Sequence, residues 1–183
     1  MKTSIFSVLS ILTLLLFAAC KKDPCDGISC KNGGDCVNGE CSCPVGFTGP
    51  DCGTRIVPSS ITIRNIAVTD FPLTDNSGGA WDLSSGGDIY VRVEQGGILI
   101  GETITLSDVI TTPVSYQTNF ILIKSPESVC LRLFDYDSFD SDDFIGGVCF
   151  DPFDSSNTGF PETINLTCAT CNASFEIGVD YDF

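Results

Sequence analysis

The sequence contains no histidine. That removes the commonest general base, the serine–histidine and cysteine–histidine pairs, and the zinc-ligand sets that need imidazole. Carboxylate-only catalysis survives this exclusion, but no nucleophile–base pair accompanies it, so the chain reads as a non-enzyme. Basic residues are scarce: nine Lys and Arg stand against 24 Asp and Glu, a formal charge of −15 over 183 residues. From Thr54 onward, five basic residues face nineteen acidic ones. Such a surface repels nucleic acid and a bare anionic membrane, and its natural counter-charge is calcium or a basic partner. No apolar run is long enough to span a bilayer comfortably, and no stretch carries a helical period.

What is present begins with cysteine. Eleven Cys fall as one at Cys20, six between Cys25 and Cys52, and four at Cys130, Cys149, Cys168 and Cys171. The last two sets are even, as disulfides require, and an oxidising compartment follows. Lys2, an apolar run from Val8 to Phe17 and the ending Phe17-Ala18-Ala19-Cys20 have the layout of a signal peptide. Small residues directly before a cysteine resemble the lipobox of bacterial lipoproteins, with Phe17 where that family usually has Leu. The resemblance implies a signal peptide over 1–19, a lipid on Cys20 that holds the chain to a membrane, and a tether over 20–24. An ordinary secretory signal cleaved after Ala19 would instead leave a free thiol. No Asp directly follows Cys20, so the implied location is the cell envelope, as an outer-membrane lipoprotein, with the side of that membrane left open.

Cys25, Cys30, Cys36, Cys41, Cys43 and Cys52 enclose about 28 residues, too few for a sufficient core, so disulfides must replace one. Asn32-Gly33-Gly34 and Asn38-Gly39 mark tight turns between very short strands. Six cysteines alone permit fifteen pairings. The ending C-x-C-x8-C with Gly46-Phe47-Thr48-Gly49 resembles an EGF-like module, assigned to residues 25–53. The resemblance implies that Cys25 joins Cys36, Cys30 joins Cys41 and Cys43 joins Cys52. Only Asp23-Pro24 precedes the first of these cysteines, and the Cys36–Cys41 interval has no aromatic, so the module is assigned no metal. It reads as a stiff spacer or a protein contact.

Beyond Gly53 the pattern changes. Strand-like segments are expected at 61–68, 89–93, 97–104, 114–123, 129–134, 147–151, 162–166 and 173–183. The last is the clearest: Phe175, Ile177, Val179, Tyr181 and Phe183 alternate with Glu176, Gly178, Asp180 and Asp182. Eight short strands with Gly, Pro and Asp turns argue for an all-β, antiparallel sandwich. Val129, Leu131 and Leu133 alternate into a loop holding Asp135, Asp137, Asp140, Asp142 and Asp143. Carboxylates crowded that closely repel one another unless a cation joins them, and oxygen ligands suit calcium. A solvated acidic turn is the alternative.

Two loops decide between these readings. Asp82 and Asp88 stand six apart, ahead of Ile89-Tyr90-Val91; Asp135-x-Asp137 is followed six residues later by Asp143-Phe144-Ile145-Gly146. This arrangement resembles the calcium-binding, synaptotagmin-like C2 domain, here assigned to residues 54–183. The resemblance implies an eight-stranded C2-like sandwich with Ca2+ ligands Asp82, Asp88, Asp135, Asp137 and Asp143. It also implies calcium-dependent binding to phospholipid, with Leu83 and Phe139 at the loop tips. A protein or glycan partner stays open, since Arg64, Arg92, Lys124 and Arg132 form no basic cluster. So does a structural spacer or adhesin whose calcium only stabilises the fold, and so does Phe139 folding back onto the sandwich. Asp140 and Asp142 read as solvated charge, or as field that attracts calcium, rather than as ligands, and Asp70 and Asp75 as weaker candidates. Cys130 and Cys149 flank the Asp135–Asp143 loop on neighbouring strands and are expected to pair and pin its base, leaving Cys168 to close on Cys171, although four cysteines permit three arrangements.

Overall fold

The computed structural model describes residues 22–75, 77–82, 86–139, 141–153, 159–168 and 170–183. The expected signal peptide, the expected lipidation position Cys20, the expected tip residue Leu83 and Asp140 lie outside the described residues. The chain divides into two compact units between Arg55 and Ile56.

The first unit holds four short strands: β1 (Asp35–Val37), β2 (Glu40–Ser42), β3 (Phe47–Thr48) and β4 (Thr54–Arg55). β1 and β2 form an antiparallel hairpin. Its turn, Asn38-Gly39, has φ of 53° and 92°, the left-handed pair that a two-residue hairpin turn demands and that Asn-Gly adopts most readily. Among its described residues, Cys52 is the unit's one fully buried hydrophobic side chain. Covalent bonds stand in for the missing core: Cys25 is bonded to Cys36, Cys30 to Cys41 and Cys43 to Cys52.

The second unit is an all-β, antiparallel sandwich, with no helix among its described residues. Its strands are β5 (Ser60–Asp70), β6 (Gly87–Gln95), β7 (Ile98–Glu102), β8 (Leu106–Val109), β9 (Val114–Ile123), β10 (Val129–Asp135), β11 (Asp143–Phe150), β12 (Thr163–Leu166) and β13 (Ser174–Asp182). One sheet runs β11-β10-β6-β7 with β8 also on β6; the other runs β12-β13-β5-β9. The short β8 adds to the eight strands expected; with only four residues and little alternation, it carries almost no periodic signal. β11 begins at Asp143 rather than near 147, which puts Asp143 on a strand instead of in the loop. Its pairing with β10 crosses a bulge beside Leu133/Phe134, and that extra residue hid the alternation.

Alternation places the core. Val129, Leu131 and Leu133 of β10 face Ile61, Ile63, Ile66 and Val68 of β5 and Phe175, Ile177 and Val179 of β13 in one buried cluster. On β5 the inward set changes parity between Ile63 and Ile66, because Arg64 sits at a bulge. Arg64 turns outward, its Nε 3.1 Å from Asp180 and its guanidinium donating to the Val179 carbonyl. Two polar ties hold the sheets together at opposite ends of β6. Tyr116 Oη donates to the Ile89 carbonyl at 2.9 Å, and Gln95 donates to the Ile123 carbonyl at 2.8 Å.

Candidate functional site

β10 carries the first carboxylate of the acidic stretch into the core. Its inward residues are Val129, Leu131, Leu133 and then Asp135, because side chains two apart share a face. The period that buries three hydrophobes thus carries a carboxylate to the end of the core, where Asp135 is 1% exposed. One of its oxygens, Oδ1, accepts the backbone N–H of Asp88 at 2.6 Å. The other, Oδ2, is buried and has no hydrogen-bond partner among the described residues. Gly87 allows this approach: a side chain there would begin 3.2 Å from Asp135 Oδ1.

The other predicted ligands are distributed around it. Asp88 is the second residue of β6, next to β10; its Oδ1 accepts the N–H of Asp108 at 2.9 Å and its carbonyl accepts the N–H of Tyr136 at 2.8 Å. Asp82 is half-buried in the bend before β6, and Asp137 is half-buried two residues past β10. Asp143 opens β11 directly across the ladder from Asp135 and is exposed. Burial pushes the Asp135 carboxyl up to about 6, and the charges of Asp82, Asp137 and Asp88 push the same way against the pull of the Asp88 N–H. Among the described residues, no three carboxylate or thiol side chains stand together as a preassembled metal-ligand set. The oxygen-only donor chemistry nevertheless fits calcium, and the unpaired oxygen of Asp135 is the atom that a cation would satisfy.

Two expectations about neighbouring acids change. Asp142, read as solvated charge, has both oxygens engaged: Oδ2 accepts the hydroxyl of Tyr90 at 2.6 Å and Oδ1 accepts the N–H of Asp137 at 3.3 Å. Asp75 shapes a turn, its Oδ1 accepting the N–H groups of Ser77 and Gly79, each at 2.8 Å. Phe139 does not fold back onto the sandwich; it is fully exposed, and Tyr136 and Phe144 are exposed on either side of it in sequence. Sequence reasoning passed over Tyr90, Tyr136 and Phe144. The available signal was that Tyr90 and Phe144 occupy outward positions on their strands.

Two disulfides brace β11. Cys130 and Cys149 are partners in the β10–β11 ladder and are bonded. They lie near the start of β10 and the end of β11, so they tie the ladder at the end away from the acidic loop rather than at the loop's base. Cys168 is bonded to Cys171, whose carbonyl accepts the N–H of Gly147 and so supports the outer edge of β11. The arginines of this unit are spent on ion pairs rather than gathered: Arg64 with Asp180, Arg92 with Glu102 and Arg132 with Glu94.

No family model matches the sequence, and a search of curated proteins finds no match. Solved structures do share the fold. The calcium-bound pair of C2 domains of extended-synaptotagmin 2 is similar over 69% of this chain and 46% of that one, at 15% identity and a TM-score of 0.50. Human GIVD cytosolic phospholipase A2 is similar over 71% of this chain but only 17% of its own length, at 19% identity and a TM-score of 0.51. An isolated C2 domain is matched over 98% of its length and 68% of this chain, at 18% identity and a TM-score of 0.46. At these identities the likeness is one of fold: the second unit is a C2-like β-sandwich.

Proposed function

We propose that the chain is a lipid-anchored cell-envelope protein, held through Cys20, whose C2-like domain binds calcium and thereby a phospholipid surface or another surface partner. The role is one of binding rather than catalysis. The observation that carries the proposal is the buried, unpaired oxygen of Asp135 beside the charges of Asp82, Asp88 and Asp137. A buried carboxylate without full hydrogen bonding is costly, and it either keeps its proton or takes a counter-ion. Asp82, Asp88, Asp135, Asp137 and Asp143 would hold the ion. Bound calcium supplies positive charge against these acids and coordination positions for an anionic oxygen of a partner. Phe139, fully exposed, supplies an apolar contact beside that charge. The disulfide-rich first unit serves as an EGF-like spacer that follows the anchor in the chain.

Calorimetric titration of the full chain with calcium tests the proposal, followed by co-sedimentation with anionic phospholipid vesicles with and without chelator. Binding heat together with chelator-sensitive sedimentation is expected. Heat without sedimentation selects a protein or glycan partner, or the reading in which calcium only stabilises the fold. The absence of both heat and a melting shift at millimolar calcium would refute the proposal.

A further inference from the structure

The loop between β10 and β11 carries acids that repel one another, yet a chain of donors reaches it from the outer face of the sheet. Tyr90 lies on that face of β6, directly across from Phe134 of β10, with which it stacks at 5.6 Å between ring centroids. Phe134 meets Phe144 of β11 edge-on at 5.5 Å, so one aromatic row crosses three strands. The Arg92 guanidinium lies 4.7 Å from the Phe134 centroid and 5.8 Å from that of Tyr90, and Tyr90 is only 5% exposed. Phe134 and Arg92 thus pack together against the ring, and its hydroxyl reaches the loop at Asp142.

That hydroxyl donates to Asp142 Oδ2 at 2.6 Å and accepts from Arg92 at 3.2 Å; Arg92 in turn bonds Glu102 of β7 at 2.7 Å. Asp142 Oδ1 accepts the backbone N–H of Asp137 at 3.3 Å. One carboxylate therefore joins the outgoing limb of the loop, at Asp137, to the returning limb, at Asp142, and fastens both to the sheet. Burial and the bond to Asp142 raise the Tyr90 phenol to about 12, so it remains a donor throughout the ordinary pH range.

We infer that Tyr90 is a positioning residue for the candidate calcium loop, acting through Asp142, and that Asp142 is a clamp rather than a calcium ligand. The inference rests on the calcium reading above for its functional consequence, but the clamp itself exists without the ion. It holds like-charged limbs together before binding, so less ordering remains to be done when the ion arrives.

Tyr90→Phe keeps the ring and removes only the donor. On the full chain it is expected to weaken calcium binding about three- to tenfold in calorimetry, a part of the worth of one hydrogen bond to a charged group, since the donor only orders the loop ahead of binding. Asp142→Asn keeps an acceptor for Asp137 and a donor for the tyrosine oxygen, so it should stay within about threefold of wild type by the same reasoning. Asp142→Ala should weaken binding as Tyr90→Phe does, and the double variant should be no worse than either single one, as expected for two residues in one relay. A metal-free readout is amide hydrogen exchange in chelator: Asp137 should exchange severalfold faster in Tyr90→Phe and Asp142→Ala, while the Leu131 and Leu133 amides in the core stay as in wild type. Unchanged Asp137 exchange in both variants overturns the clamp. Asp142→Asn losing more affinity than Tyr90→Phe also overturns it, by marking Asp142 as a ligand. A wild-type chain that binds no calcium refutes the function proposed above, and Asp137 exchange then decides the clamp alone.

Discussion

Replacing Asp135 with Asn separates the cost of the buried charge from its use. In the folded chain the carboxyl is raised from 3.8 to about 6, chiefly by burial. At about 1.4 kcal/mol per pKa unit, ionising it near neutral pH costs the metal-free fold roughly 3 kcal/mol. Asn keeps the oxygen that accepts the Asp88 N–H and places an amide donor where Oδ2 has no partner. With Asp82, Asp88 and Asp137 nearby as acceptors, the variant should gain about 1–3 kcal/mol over wild type in chelator at neutral pH. For a sandwich of this size that is a melting shift of about 4–10 °C upward. Calcium acts in the opposite sense and narrows the gap: wild type gains RT ln(1 + [L]/Kd), about 1.4 kcal/mol at ten times Kd for each ion, and the variant should gain little. Differential scanning calorimetry in chelator and in millimolar calcium reads both signs. A variant that melts below wild type in chelator, or that responds to calcium as wild type does, would refute the reasoning.

The same carboxyl predicts a pH signature. Its raised native pKa means that the metal-free fold keeps a proton which the unfolded chain releases near 3.8, so this contribution is lost as pH rises from about 4 through about 6 and is flat above. Urea unfolding of wild type minus Asp135→Asn isolates it, and a difference independent of pH between about 4 and 7 would contradict the assignment. Leu133→Ala empties a fully buried position in the strand that presents Asp135 and should cost about 2–5 kcal/mol with an unchanged urea m-value. Phe139→Ser, at a fully exposed site, should leave stability within about 0.5 kcal/mol and the calcium heat unaltered, while chelator-sensitive vesicle sedimentation falls severalfold.

Much of this architecture is written locally. Strict alternation in β13 and β10 specifies which residues face inward, because a strand has no choice but to send alternate side chains to opposite faces. Asn38-Gly39 likewise specifies its turn, since those two residues accept positive φ at low cost. The two clusters of acids, six residues apart at Asp82/Asp88 and again at Asp137/Asp143, are visible without any fold.

Three features are not local. That Asp135 is fully buried, with one oxygen bonded and the other bare, depends on Asp88 and Gly87 arriving from a strand 47 residues away in the chain. That Asp143 belongs to β11 depends on a bulge, and a single extra residue erases the periodicity by which a strand is recognised. That Asp142 is fastened rather than solvated depends on a tyrosine hydroxyl reaching it from β6. Composition and period determine which residues are acidic, apolar or turn-forming and which face of a strand they occupy. Whether a carboxylate meets water, a donor or nothing is decided by what other strands bring beside it, and only the packed sandwich sets that.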